Sequence, residues 1–93
     1  MLVGVPKEIK SHEYRVGLIP ASVRELVHHG AGVIVERGAG AGIGFEDGAY
    51  EAVGVRIGEN AGEVFDQAQL VVKVKEPQPT EIKMLGPDQI LFT

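Results

Sequence analysis

PASVRELVHHGAGVIVE, residues 20–36, reads as one helix followed by one strand. Val23, Leu26 and Val27 recur at i, i+3, i+4 and so fall on one helical face. Pro20 suits the first turn, because its φ is already helical and the amide it lacks would have no partner there. Gly30 suits the end, where a left-handed residue leads the chain out of a helix. A helix is therefore expected over Pro20–His29, and GVIVE, Gly32–Glu36, is expected as the strand that follows.

The same alternation runs outward in both directions. Leu2–Val5 is a short apolar run closed by Pro6, and residues 6–19 are polar and charged with no helical period, as in a long loop. Downstream, GAGAGIGF at 38–45 is a glycine-rich loop. Asp47 is expected to cap a short helix through Val53, ended by Gly54. Val55–Ile57 reads as a third strand, and Asn60 with Glu63 three residues on resembles a capping box for a helix to Gln67. LVVKV, Leu70–Val74, is a fourth strand whose apolar start suits burial on both faces. After a proline-punctuated loop at Glu76–Pro79, Thr80 is expected to cap a helix to Leu85, stopped by Gly86-Pro87. QILFT, Gln89–Thr93, is a fifth strand.

Strands joined by helices imply an α/β fold: three layers, a mostly parallel five-stranded sheet with helices on both faces, Rossmann-like or flavodoxin-like. Such sheets bind ligands beyond the carboxyl ends of their strands. The loop at 6–19 and the end of the fourth strand, residues 73–77, are therefore where a site is expected.

Composition narrows the function classes. The 93 residues are 44% hydrophobic and 24% charged, which is ordinary for a globular domain. With no cysteine, neither a disulfide framework nor a thiolate metal site is possible, which fits a reducing, cytoplasmic setting. A net charge of −4 argues against a nucleic-acid partner. No apolar run approaches the roughly 20 residues that span a membrane. MLVGVPKEIK has charges directly after its apolar stretch and does not read as a signal peptide.

The glycine loop is a tempting cofactor signature, but it fails the G-x-G-x-x-G spacing. The sixth position is Ile43 counted from Gly38 and Phe45 counted from Gly40. A close-packed turn is the expectation, and no cofactor-binding residue is assigned. Lys7, Glu8, Lys10, Glu13 and Arg15 crowd the first loop, and Lys73 and Lys75 precede Glu76-Pro77. Strand alternation would put Lys73 and Lys75 on one face. An arginine offers a two-pronged fork to a carboxylate, and a lysine a compact charge that can polarise a carbonyl. Equally, Arg15 could pair with Glu13 or Glu8, and Lys75 with Glu76, as solvated ion pairs. Adjacent His28 and His29 cannot share a metal as an i, i+4 pair could, and no metal site is expected. Tyr14, Tyr50, Phe45, Phe65 and Phe92 read as core, with Tyr14 able to reach the first loop.

GVPKEIKSHEYRVGLIPASVRELVHHG at 4–30, GAGAGIGFEDGAYEAVG at 38–54, VVKVKEPQP at 71–79 and the closing QILFT together resemble the N-terminal part of alanine dehydrogenase and of the NAD(P) transhydrogenase α subunit. The resemblance runs the length of the chain in order. It implies that 1–93 are the front of a substrate-binding domain in an enzyme that interconverts L-alanine and pyruvate with NAD. Arg15 then corresponds to the residue that holds the substrate carboxylate, and Lys75 to the lysine that contacts its carbonyl or carboxylate. KVKEP favours the alanine dehydrogenase branch, since transhydrogenases usually carry a KVN-type sequence there. The resemblance further implies a cytoplasmic homohexamer, a catalytic histidine shortly after LFT, and NAD bound by a domain outside these residues. The segment alone is thus expected to be inactive, with no catalytic group of its own. A non-catalytic α/β binding module is the alternative of a different class. Three positions depart from the family pattern. His12 stands where Asn is usual, Gly17 where the joint signature more often has Ala, and Ile19 where a Thr or Ser would cap the helix.

Overall fold

The computed structural model describes all of residues 1–93. Its strands are β1 (Leu2–Val5), β2 (Gly32–Glu36), β3 (Arg56–Gly58), β4 (Leu70–Val72) and β5 (Ile90–Phe92). The helices are α1 (Pro20–His28), α2 (Asp47–Glu51), α3 (Ala61–Gln67) and α4 (Pro79–Ile82), with a 3₁₀ turn at Ala41–Ile43. All the strands pair in parallel, in the order β3-β2-β1-β4-β5. The α/β reading therefore holds.

Alternation along the strands explains the layers. Val3 and Val5 of β1 point to the same side as Val33 and Val35 of β2, and pack there with Val23 of α1 and Tyr50 of α2. On the other side, Phe65 of α3, Ala68 and Val71 of β4 make a smaller core, joined by Met84, Leu85 and Leu91.

Several boundaries differ from the sequence reading, each for a local reason. Asp47 does not cap α2: its carboxylate accepts the amide of Gly38 at 2.8 Å, so it closes the glycine loop instead, and Glu46 precedes the helix without a side-chain bond. Thr80 lies inside α4, because Pro79 occupies the first turn and the Gln78 amide donates to Glu81 at 2.9 Å. Asn60 caps α3 as expected, accepting from the Glu63 amide at 2.9 Å. β4 stops at Val72, so strand alternation does not reach Lys73 and Lys75. Lys73 is buried while Lys75 is only half-buried. Tyr14 (63% exposed) and Phe92 (65%) are not core residues, whereas Tyr50 and Phe65 are.

Candidate functional site

The strand order reverses direction between β1 and β4. From β1 the chain winds toward β2 and β3, whereas β4 and β5 lie on the opposite side. The loops leaving these neighbouring strands therefore part from each other and open a crevice at their carboxyl ends. Residues 6–19 and 73–78 leave the two strands as the walls this rule expects.

Glu8 joins the two walls. Its carboxylate accepts the amides of Val74 at 2.9 Å and Lys75 at 3.2 Å, and the ammonium of Lys73 at 2.8 Å. Lys73 also lies 3.2 Å from Glu81 of α4, and all three side chains are at most 1% exposed. One ammonium thus serves two buried carboxylates, which also accept backbone amides, and removing it would be strongly destabilising. The Lys10–Glu76 ion pair closes the outer rim.

Arg15 carries its own partner. Its Nε and Nη2 donate to the two oxygens of Glu13 at 2.9 and 2.8 Å, and its amide donates to Glu13 at 2.9 Å. The Glu13 side chain is 6% exposed and that of Arg15 is 64%, so the carboxylate forms the base and the guanidinium stands outward. These hydrogen bonds from Arg15 hold the Glu13 carboxyl down to about 2, and the charge of Lys75 adds to the effect. Both cations thus act on one carboxylate. The Nη1 nitrogen of Arg15 makes no hydrogen bond to the protein, leaving the guanidinium's end edge, Nη1 with Nη2, for a second carboxylate. Arg15 lines a cleft of about 40 Å³ with Lys7, Glu8, Glu13, Tyr14 and the glycine loop. Lys75 is not part of that lining. Of the solvated pairs considered from sequence, Arg15–Glu13 forms, while Glu76 takes Lys10 rather than Lys75.

The glycine loop is filled by the chain itself. A Cβ at Gly40 would come 2.8 Å from the Phe45 carbonyl and 2.9 Å from the Tyr50 ring, and one at Gly42 would come 3.0 Å from the Tyr14 carbonyl. These glycines admit neighbouring protein atoms at close range, as a close-packed turn does. No group of three or more His, Asp or Glu side chains gathers as metal ligands would, and no helix is long and apolar enough to cross a membrane.

Sequence reasoning missed two features. Glu8 gave no signal of burial, since Ile9 and Lys10 beside it are exposed. Arg37, at the end of β2, pairs with Glu59 at 2.7 Å and reaches Asp47 at 3.4 Å, bracing the glycine loop from outside.

The family model for "Alanine dehydrogenase/PNT, N-terminal domain" matches residues 4–93. The chain belongs to this family. Alanine dehydrogenase of Halomonas elongata is 50% identical over all 93 residues, and that of Bacillus subtilis 48%. Among solved structures, an L-alanine dehydrogenase superimposes with a TM-score of 0.95 at 47% identity over 98% of this chain. A transhydrogenase from Sinorhizobium meliloti does so with a TM-score of 0.91 at 33% identity, again over 98%. This alanine dehydrogenase/PNT segment spans about a quarter of each relative: 25% of the Halomonas and 24% of the Bacillus protein, and 25% and 27% of the two solved chains.

Proposed function

We propose that residues 1–93 are the N-terminal part of the substrate-binding domain of an NAD-dependent L-alanine dehydrogenase, a cytoplasmic homohexamer when complete. Arg15 holds the substrate carboxylate, and Lys75 contacts the carbonyl or carboxylate of pyruvate and L-alanine. The observation that carries this reading is the guanidinium of Arg15. One edge is fixed on the recessed Glu13, and the other is turned outward at the reversal point of the sheet. A side chain held this way reaches a ligand with little freedom left to lose.

Lys75, beside Glu13 and opposite the first loop, suits the other end of a small keto acid. Its ammonium would draw electron density from the carbonyl and make the carbonyl carbon easier to attack. NAD dependence comes with the family likeness; no residue of this segment is assigned to the cofactor, and the segment alone is assigned no turnover.

The test is pyruvate binding and alanine turnover by the protein that carries this segment. Arg15→Ala should weaken pyruvate binding by roughly 10–100-fold, since hydrogen bonds to charged groups contribute about 1.5–3 kcal/mol. Wild-type affinity in that variant would overturn the assignment. The transhydrogenase reading is supported by the joint family model and by the fold, shared at 33% identity. NADP reduction without alanine turnover would establish it instead.

A further inference from the structure

We propose that Glu8 is a positioning residue that sets where Lys75 stands, an inference that rests on the reading of Lys75 as a substrate contact. β4 ends at Val72, and Lys73 is the last residue tied to the sheet, its amide donating to the Phe92 carbonyl of β5 at 2.9 Å. The amides of Val74 and Lys75 are held from outside. Glu8 Oε2 accepts from Val74 at 2.9 Å and Oε1 from Lys75 at 3.2 Å.

The carboxylate doing this is itself fixed. Its side chain is 1% exposed and paired with the fully buried ammonium of Lys73 at 2.8 Å. Lys73 leans on Glu81, whose other oxygen accepts the amide of Gln78. Glu8, Lys73 and Glu81 thus tie the loop after β1, the segment after β4 and the start of α4 into one frame, with the Lys75 backbone attached to it.

Cohesion alone does not account for this arrangement. Well-packed apolar side chains often serve a buried site as well as an ion pair does. What apolar side chains lack is the ability to hold two successive amides at a set place. Glu8 also borders the Arg15 cleft, and its charge reaches the guanidinium. Glu13 also feels both proposed substrate contacts, but the Lys75 backbone is held by Glu8.

The experiment is a double-mutant cycle of Glu8→Gln and Lys75→Met in the complete protein, saturated with NADH and titrated with pyruvate by calorimetry, with kcat/KM for pyruvate measured alongside. Glu8→Gln should weaken pyruvate by about tenfold while leaving NADH affinity within about twofold, because one weakened charged contact corresponds to that ratio. In the Lys75→Met background Glu8→Gln should cost nothing further, because the two act through one contact. Unchanged pyruvate affinity in Glu8→Gln, or an equal loss in both backgrounds, would overturn the proposal. Wild-type affinity in Lys75→Met alone would show that the underlying reading of Lys75 had failed, and the positioning role would fall with it. If Glu8→Gln does not fold, Glu8→Gln/Lys73→Met/Glu81→Gln removes all the charges of the buried cluster together and enters the same cycle.

Discussion

His12 holds φ at 63°, the left-handed region, in the loop that carries Glu8 and Arg15. That conformation crowds a side chain's Cβ against the backbone, and Asn tolerates it better than most residues because its short amide bonds locally. The family pattern of Asn at this position therefore has a steric basis, and His12→Asn should stabilise the protein by up to about 1 kcal/mol. A higher midpoint in urea denaturation checks this; a lower one would mean that the imidazole contributes more than its strain costs. Glu13 gives a second residue-scale outcome. Its carboxyl is held near 2 in the folded protein, chiefly by hydrogen bonds from Arg15, against an ordinary 4.5. A depressed carboxyl stabilises the fold fully above the ordinary value, and that contribution is lost as pH falls through the folded value. The Arg15 pair should thus persist through mild acid and open only near pH 2. Carbon-13 NMR of the Glu13 side-chain carboxyl should show no titration between pH 6 and 3.5, and an ordinary midpoint there would show the pair to be absent. The departure at His12 was legible in sequence, whereas its positive φ was not, because a single polar residue in a loop carries no periodic mark.

Among the elements, α1 shows best how far the sequence reaches. Its apolar spacing and its Pro20 and Gly30 placed the helix to within one residue. Ile19 sits at the N-cap with extended dihedrals and no side-chain bond, at the position where the missing Thr was expected to cap. Ile19→Thr should supply an acceptor for the Ser22 amide and stabilise the protein by about 1 kcal/mol, less whatever contact the partly exposed isoleucine makes. Thermal unfolding measures it, and no rise in Tm would mean the backbone there cannot turn a hydroxyl onto the helix. α2 and α4 were read less well for a common reason. Asp47 and Thr80 are good capping types, but capping depends on which competitor is near. Asp47 was taken by the Gly38 amide, and Thr80 was preceded by a proline that starts the helix one residue earlier. Gly17 is the opposite case, an element-scale constraint visible only in space. A Cβ there would come 2.5 Å from the Val72 carbonyl, so the loop lies against the end of β4 because this position is bare.

At the scale of the molecule, the alternation of strand and helix was enough to give an α/β fold with the crevice at the carboxyl ends of its strands. Periodicity could not give the strand order, nor the partner of Lys73. Glu8 and Lys73 are 65 residues apart, and their pairing follows from β4 lying beside β1. That pairing makes the crevice floor a weak point of known sign. Lys73→Met would leave two buried carboxylates, Glu8 and Glu81, without their shared cation. Breaking a buried pair from one side costs about 3–5 kcal/mol, a large part of the roughly 5–15 kcal/mol that holds a domain together. Urea denaturation of Lys73→Met should therefore show a large fall in midpoint. Neutralising them as well, in Lys73→Met/Glu8→Gln/Glu81→Gln, should recover part of the loss, because the charges are gone and each new amide keeps one carbonyl oxygen, enough for Gln78 at position 81 and for one of the Val74 and Lys75 amides at position 8. If the triple variant were no more stable than Lys73→Met, the fall would lie in lost packing of the lysine stem, and the floor would be held by shape and not by charge.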